Sequence, residues 1–358
     1  MRFLFKTSYG QDVDLFRHDG QRFWYALLAL ALLVAPTVLP GFYLGELSFV
    51  FIYAIAGIGL MLLVGYTGLV SLGHAAFLAI GAYTHAFLLD QGWPWPIALI
   101  AGSLLAAAAG AALGRPTLRM TGIYLAIATL AFAVIVEQVI AHWDSVTGGY
   151  RGMPVPPARW LGLDLGTPVA FYFTCLLVLV LSLLAAMNLL RGPTGRAFIA
   201  VRDSEVSAQS MGIDLAKAKA LSFALSAGFT GLAGGLFAHK LSYLAPDAFT
   251  LLLSIQLLLM VVVGGLGSLH GVIYGAIFIG LLPQGIAMAR DVLPPAVAQM
   301  PGLEPGLFGL ILILFLIYEP LGIYGRWRKI RQFFEEFPLY RRATHKRQKA
   351  FLRTDRLR

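Results

Sequence analysis

Ser71 and His74, three residues apart in Ser71-Leu72-Gly73-His74, are the polar groups of this chain best placed to do chemistry. They lie in the stretch 65–83, which also holds Thr67 and four glycines, Gly65, Gly68, Gly73 and Gly81, in apolar surroundings. No Gly-x-Ser-x-Gly elbow, phosphate-binding Gly-x-x-x-x-Gly-Lys-[Ser/Thr] loop or His-Glu-x-x-His pair occurs, and Gly57-Ile58-Gly59 and Gly265-Leu266-Gly267 fail the dinucleotide pattern at the third glycine. What remains is binding chemistry without fixed charge: hydroxyls, an imidazole and backbone dipoles can hold a small zwitterion. Glycines at spacings of three and four also serve helix packing. An ionisable residue at membrane depth, by contrast, is costly and faces a cavity or a partner. Gly68, Ser71, Gly73 and His74 are therefore expected to border a solute pathway.

The elements that must position these groups are membrane spans. Of 358 residues 58% are hydrophobic and 13% charged, and the mean hydropathy is +0.77, where a soluble domain carries about 25% charge. Apolar runs of the length a bilayer demands predict ten helices, at 23–40, 44–64, 69–89, 95–114, 122–141, 168–190, 219–239, 250–266, 271–289 and 305–321. The expected fold is all-α, a polytopic transmembrane bundle. The single cysteine, Cys175, falls mid-run, which excludes an intrachain disulfide and a cysteine metal cluster.

Charge sets the orientation. With the N-terminus inside, the outer side holds only Arg151, Arg159, Lys240 and Arg290 of the 27 Lys and Arg, so both termini are expected in the cytoplasm. Residues 1–22, polar and of mixed charge, are expected to be a cytoplasmic segment and not a cleaved signal. The net charge of +9 comes largely from the segment 322–358, read as a basic tail on anionic lipid and not as a nucleic-acid site.

Between these ends a transmembrane body is expected over 23–321, with two soluble segments. The outer loop 142–167 is rich in Gly and Pro and reads as irregular, a lid or a docking surface. The inner segment 190–218 is broken by Gly192-Pro193-Thr194-Gly195, then turns amphipathic from Arg196 to Asp203; Ser204 is expected to cap a second short helix that Gly212 ends. Gly264-Gly265-Leu266-Gly267-Ser268-Leu269-His270-Gly271 echoes the Ser71–His74 motif and suggests a two-fold internal repeat. His85 and His239 read as structural histidines, and Glu46 and Glu137 fall near span ends. The scarcity of deep acidic residues argues against proton-driven transport.

Four segments together resemble the LivM-type permease subunit of bacterial ATP-binding-cassette importers for branched-chain amino acids. They are Gly65-Tyr66-Thr67-Gly68 through His74-Ala75-Ala76-Phe77 to Gly81-Ala82-Tyr83-Thr84; 124–132 around Thr129; Thr147-Gly148-Gly149 to Gly152; and Gly195-Arg196-Ala197 through Met211-Gly212-Ile213 to Gly264-Gly265-Leu266-Gly267-Ser268. Their order extends over roughly 45–320. The resemblance implies a LivH-like second permease, two cytoplasmic ATPase subunits that hydrolyse ATP, an external solute-binding protein, no cofactor on this chain and a bacterial inner-membrane location. It adds Tyr83, Thr129, Gly264 and Gly267 to the pathway set, and assigns ATPase coupling to Arg196, Arg202, Asp203, Glu205 and Gly212. The stretch 202–213 keeps Glu205, Ala208 and Gly212 but departs from the Glu-Ala-Ala pattern of other importer permeases. Relatives for urea and short amides, a stand-alone facilitator, and a membrane scaffold remain as alternatives.

Overall fold

The computed structural model describes residues 19–114, 120, 122–160, 162–292, 303–319 and 321–336. Most of the expected N-terminal segment and the tail beyond 336 lie outside the described residues.

Each of the ten expected spans coincides with a helix. They are α1 (Asp19–Val38), α2 (Gly41–Leu60), α3 (His74–Asp90), α4 (Trp95–Gly114), α5 (Ile123–His142), α6 (Pro168–Arg191), and, after two short helices α7 (Pro193–Asp203) and α8 (Glu205–Ser210), α9 (Leu215–Leu241), α10 (Leu251–Gly264), α11 (Leu269–Val292) and α12 (Leu303–Tyr318). An amphipathic α13 (Gly322–Glu336) closes the described chain. Among the described residues seven helical stretches are long and apolar enough to cross a membrane; the apolar parts of α1 and α12 are shorter, and α3 has only 17 residues.

Caps explain where the helices of the inner segment begin. Gly192, extended, ends α6, and Pro193 opens α7 at a position where its missing N–H costs nothing. Ser204 Oγ accepts from Ser207 N (3.2 Å) at the start of α8, and Asp214 Oδ1 accepts from Lys217 N (3.1 Å) at the start of α9. Gly212, with φ +83°, ends α8 as expected.

α9 is the hub, packed against α2, α3 and α4. Small residues set those distances. A Cβ on Gly102 would stand 2.7 Å from the Gly81 carbonyl oxygen, and one on Gly81 would strike the backbone of Gly231. Close backbone approach of this kind supplies the dispersion contacts that hold helices together where lipid removes the hydrophobic drive. The buried cluster around Ile52, Ile55, Ile58, Leu78, Leu236 and Met260 surrounds this hub.

The outer loop is more ordered than its composition suggests. Asp144–Thr147 and Gly149–Arg151 each make a single helical turn. Met153–Pro154 (β1) then pairs antiparallel with Tyr243–Leu244 (β4), and Arg159–Trp160 (β2) with Leu163–Asp164 (β3). The Tyr243 hydroxyl donates to the carbonyl of Arg151. The loop is thus stitched to the α9–α10 connection.

Candidate functional site

The span expected at 69–89 begins five residues late, at His74. α2 runs into a π-helical turn at Met61–Tyr66, the chain reverses through 67–73, and α3 begins only at His74. Irregular backbone leaves N–H and C=O groups that need partners, and here side chains supply some of them. Thr67 Oγ1 donates to the Leu62 carbonyl (2.9 Å), Leu72 N donates to Thr129 Oγ1 on α5 (2.9 Å), and Ala75 N donates to Ser254 Oγ on α10 (2.9 Å). Three other elements therefore hold the start of α3.

His74 is fully buried. Its Nδ1 lies 3.1 Å from Ser71 Oγ and its Nε2 2.8 Å from Ser226 Oγ on α9. One ring nitrogen donates and the other accepts, so the two hydroxyls accommodate a neutral imidazole. Gly73 is required beside it: a Cβ there would sit 2.6 Å from the Thr129 carbonyl oxygen.

The second break, between α10 and α11, meets the first. Gly265 and Gly267 have φ +114° and +79°, a left-handed region that favours glycine. Gly267 N lies 3.2 Å from Met61 Sδ, and a Cβ on Gly65 would come within 2.8 Å of Gly267 N. A Cβ on Gly264 would strike the Gly271 carbonyl. Met61 and Gly65, just before the first break, thus touch Gly267 of the second.

Arg202, from α7, stands over that contact. Its Nη1 donates to the Gly65 carbonyl (3.1 Å), its stem lies against Gly68, and its Nε and Nη2 donate to Asp203 Oδ1 (3.1 and 3.0 Å). Arg196 is elsewhere, its Nη1 donating to the Arg191 carbonyl (3.2 Å). Glu205 pairs with Lys219 of α9 at 2.8 Å. The outward face of α8 and its C-terminal turn carries Val206, 80% exposed, and Met211, 84% exposed, beside the exposed Ser207, Gln209 and Ser210. A shallow depression beside it is lined by Gln209, Gly212, Ile213 and Asp214. The backbone and ammonium of Lys217 hold the Asp214 carboxyl below the usual carboxylate range.

Ser71, Gly73, His74 and Thr129 thus lie together, Gly68 and Gly267 gather around Arg202, and Gly264 packs just behind. Tyr83 lies apart, further along α3. Its ring sits 5.8 Å from that of Phe249, and its buried hydroxyl has no hydrogen-bond partner among the described residues. Sequence reasoning missed Ser226, Ser254 and Lys219. Ser222, Ser226 and Thr230, four residues apart on one face of α9, were the available signal for the first.

His85 and His239, expected to be structural histidines, lie against each other. Their Nε2 atoms are 2.9 Å apart, and Trp95 Nε1 donates to His239 Nε2 at 2.9 Å.

A family model described as branched-chain amino acid transport system / permease component matches residues 42–316. The chain belongs to this permease family. The permease is 35% identical over 337 residues to the high-affinity branched-chain amino acid transport system permease protein LivM of Escherichia coli K12, covering 85% of this chain and 76% of the relative. It is 23% identical over 295 residues to LivH of the same organism, covering 76% of this chain and 91% of that one. The autoinducer 2 import system permease protein LsrC of Salmonella typhimurium LT2 is 27% identical over 281 residues, covering 74% and 78%. No solved structure matches.

Proposed function

We propose that the permease forms, with a LivH-like second permease, the translocation path of an importer for branched-chain amino acids in a bacterial inner membrane. Two cytoplasmic ATPases hydrolyse the ATP, and an external binding protein delivers the solute near the 142–167 loop. Both termini lie in the cytoplasm.

The observation that carries this reading is the bridge from the inner segment to the breaks. Arg202 joins α7 to the Gly65 carbonyl and lies beside Gly68 and Gly267, so a push on α7 and α8 reaches two interrupted helices at once. Val206 and Met211 supply the exposed apolar surface such a push needs. Ser71, Gly73, His74 and Thr129 hold the turn, and Gly264 and Gly267 give it a closely packed neighbour. Tyr83, with an unpartnered phenol beside Phe249 and Phe237, offers a polar handle next to aromatic rings, which suits an amino acid with a branched apolar side chain.

Uptake of labelled leucine, with urea as competitor, tests this in vesicles holding the permease with and without its partner subunits. ATP-dependent leucine uptake only with the partners supports the importer. Uptake by the lone chain would replace it with a facilitator, and competition by urea but not valine would replace the substrate class.

A further inference from the structure

The second glycine break is covered by α13, and the cover is close. Gly322, at φ +72°, starts the helix, and a Cβ there would sit 2.6 Å from Gly265 Cα. Tyr324 lies against Gly265 and stacks on His270 with ring centroids 5.9 Å apart and planes 10° apart. His270 Nε2 in turn is 2.6 Å from the Tyr25 hydroxyl of α1.

From Arg326 to Phe334 the helix is exposed. At about 100° per residue, Ile323, Trp327, Ile330 and Phe334 share an arc of about 60°. Ile323 packs on the core, whereas Trp327, Ile330 and Phe334 are 52%, 42% and 73% exposed. Arg326 and Arg331 flank that arc, with Arg328 and Lys329 further round the helix. The helix begins four residues after α12 ends at Tyr318, so it emerges at the inner membrane boundary. An exposed aromatic arc bordered by cations at that depth matches a leaflet of anionic lipid: rings enter the acyl boundary while basic arms reach headgroup phosphates.

We propose that α13 is a sensor of the anionic inner leaflet that, when seated on it, clamps the Gly264–Gly271 break. This goes beyond the importer reading and rests on the chain spanning a membrane with its C-terminal side in the cytoplasm, as proposed above. Lipid composition sets how firmly α13 is seated, and Gly322 and Tyr324 pass that restraint to Gly265.

The test uses the full lone chain in nanodiscs, so it does not depend on the partner subunits. Cys175, the sole cysteine, is fully buried, which lets a Phe334→Cys variant carry an environment-sensitive fluorophore. In discs with phosphatidylglycerol the label should be blue-shifted and shielded from iodide. In all-phosphatidylcholine discs both effects should be lost. Amide exchange across 264–268 in the unlabelled chain should slow several-fold with phosphatidylglycerol and not with phosphatidylcholine. A label indifferent to lipid charge overturns the proposal; a lipid-sensitive label with unchanged exchange at 264–268 overturns the clamp and leaves α13 a plain anchor.

Discussion

Lys219, with a side chain only 2% exposed, reaches out of α9 to the carboxylate of Glu205 at 2.8 Å. Glu205 therefore holds α8 against the bundle, and its carboxylate is engaged within the chain. Removing one partner of such a pair is worse than replacing the buried one by an apolar side chain, because the survivor is a desolvated charge. Glu205→Ala should cost about 2–3 kcal/mol in thermal unfolding, below the range for fully buried pairs because Glu205 is 36% exposed. Lys219→Met should cost within about 1 kcal/mol, and adding it to Glu205→Ala should recover most of the loss. Equal losses in both single variants would refute an internal role for Glu205.

Arg202 makes a charge-assisted hydrogen bond to the Gly65 carbonyl, a type worth roughly 1.5–3 kcal/mol. If that bond carries motion into the breaks, Arg202→Ala in the assembled importer should lower leucine uptake about tenfold or more while ATPase turnover persists. Arg202→Lys should recover little, since an ammonium cannot serve Gly65 and Asp203 together from a planar fork. Unchanged uptake, or uptake and ATPase falling in parallel, would remove Arg202 from the coupling path.

The expected spans fall on helices because apolar length is a local property, although seven stretches among the described residues are long and apolar enough to cross a membrane; the caps at Ser204 and Gly212 are local signals too, whereas Asp214 was not singled out. A gap at 65–68 was legible between two expected spans, but its extension to Gly73 was not. Leu69-Val70-Ser71-Leu72 is as apolar as a helix requires, and what stops helix there is the left-handed Gly68 (φ +76°) together with Thr129 and Ser254, 57 and 179 residues away in sequence. The pairing of Gly65 with Gly267 is equally non-local. Repetition of a glycine-rich motif hinted at kinship between the two segments, but nothing in their order implied contact.

The cap on α9 titrates. Asp214 accepts the amide of Lys217, and that contact holds its carboxyl below the ordinary range, so the folded chain binds the proton less readily than the unfolded one. Stability from this group is fully present above the unfolded pKa of about 3.9 and is lost as pH falls through the lower folded value. Amide exchange at Lys217 and Ala218, taken relative to its intrinsic rate, should be flat from neutral pH down to that range and then rise. Asp214→Asn keeps a capping oxygen and should abolish that rise. A rise that persists in the variant would assign the effect to another carboxylate.

Tyr83 separates pathway from packing. Its hydroxyl is buried with no hydrogen-bond partner among the described residues, so Tyr83→Phe removes a desolvated group without breaking a bond, and stability should hold or rise by up to about 1 kcal/mol. If the hydroxyl meets the solute during transport, the same variant should raise the apparent KM for leucine about five- to tenfold, the equivalent of about 1–1.4 kcal/mol. Uptake by the assembled importer and thermal unfolding measured on one preparation decide it. Unaltered KM in a stable Tyr83→Phe variant would leave Tyr83 a packing residue against Phe249, and the solute path would then have to run beside Ser71 and His74 without it.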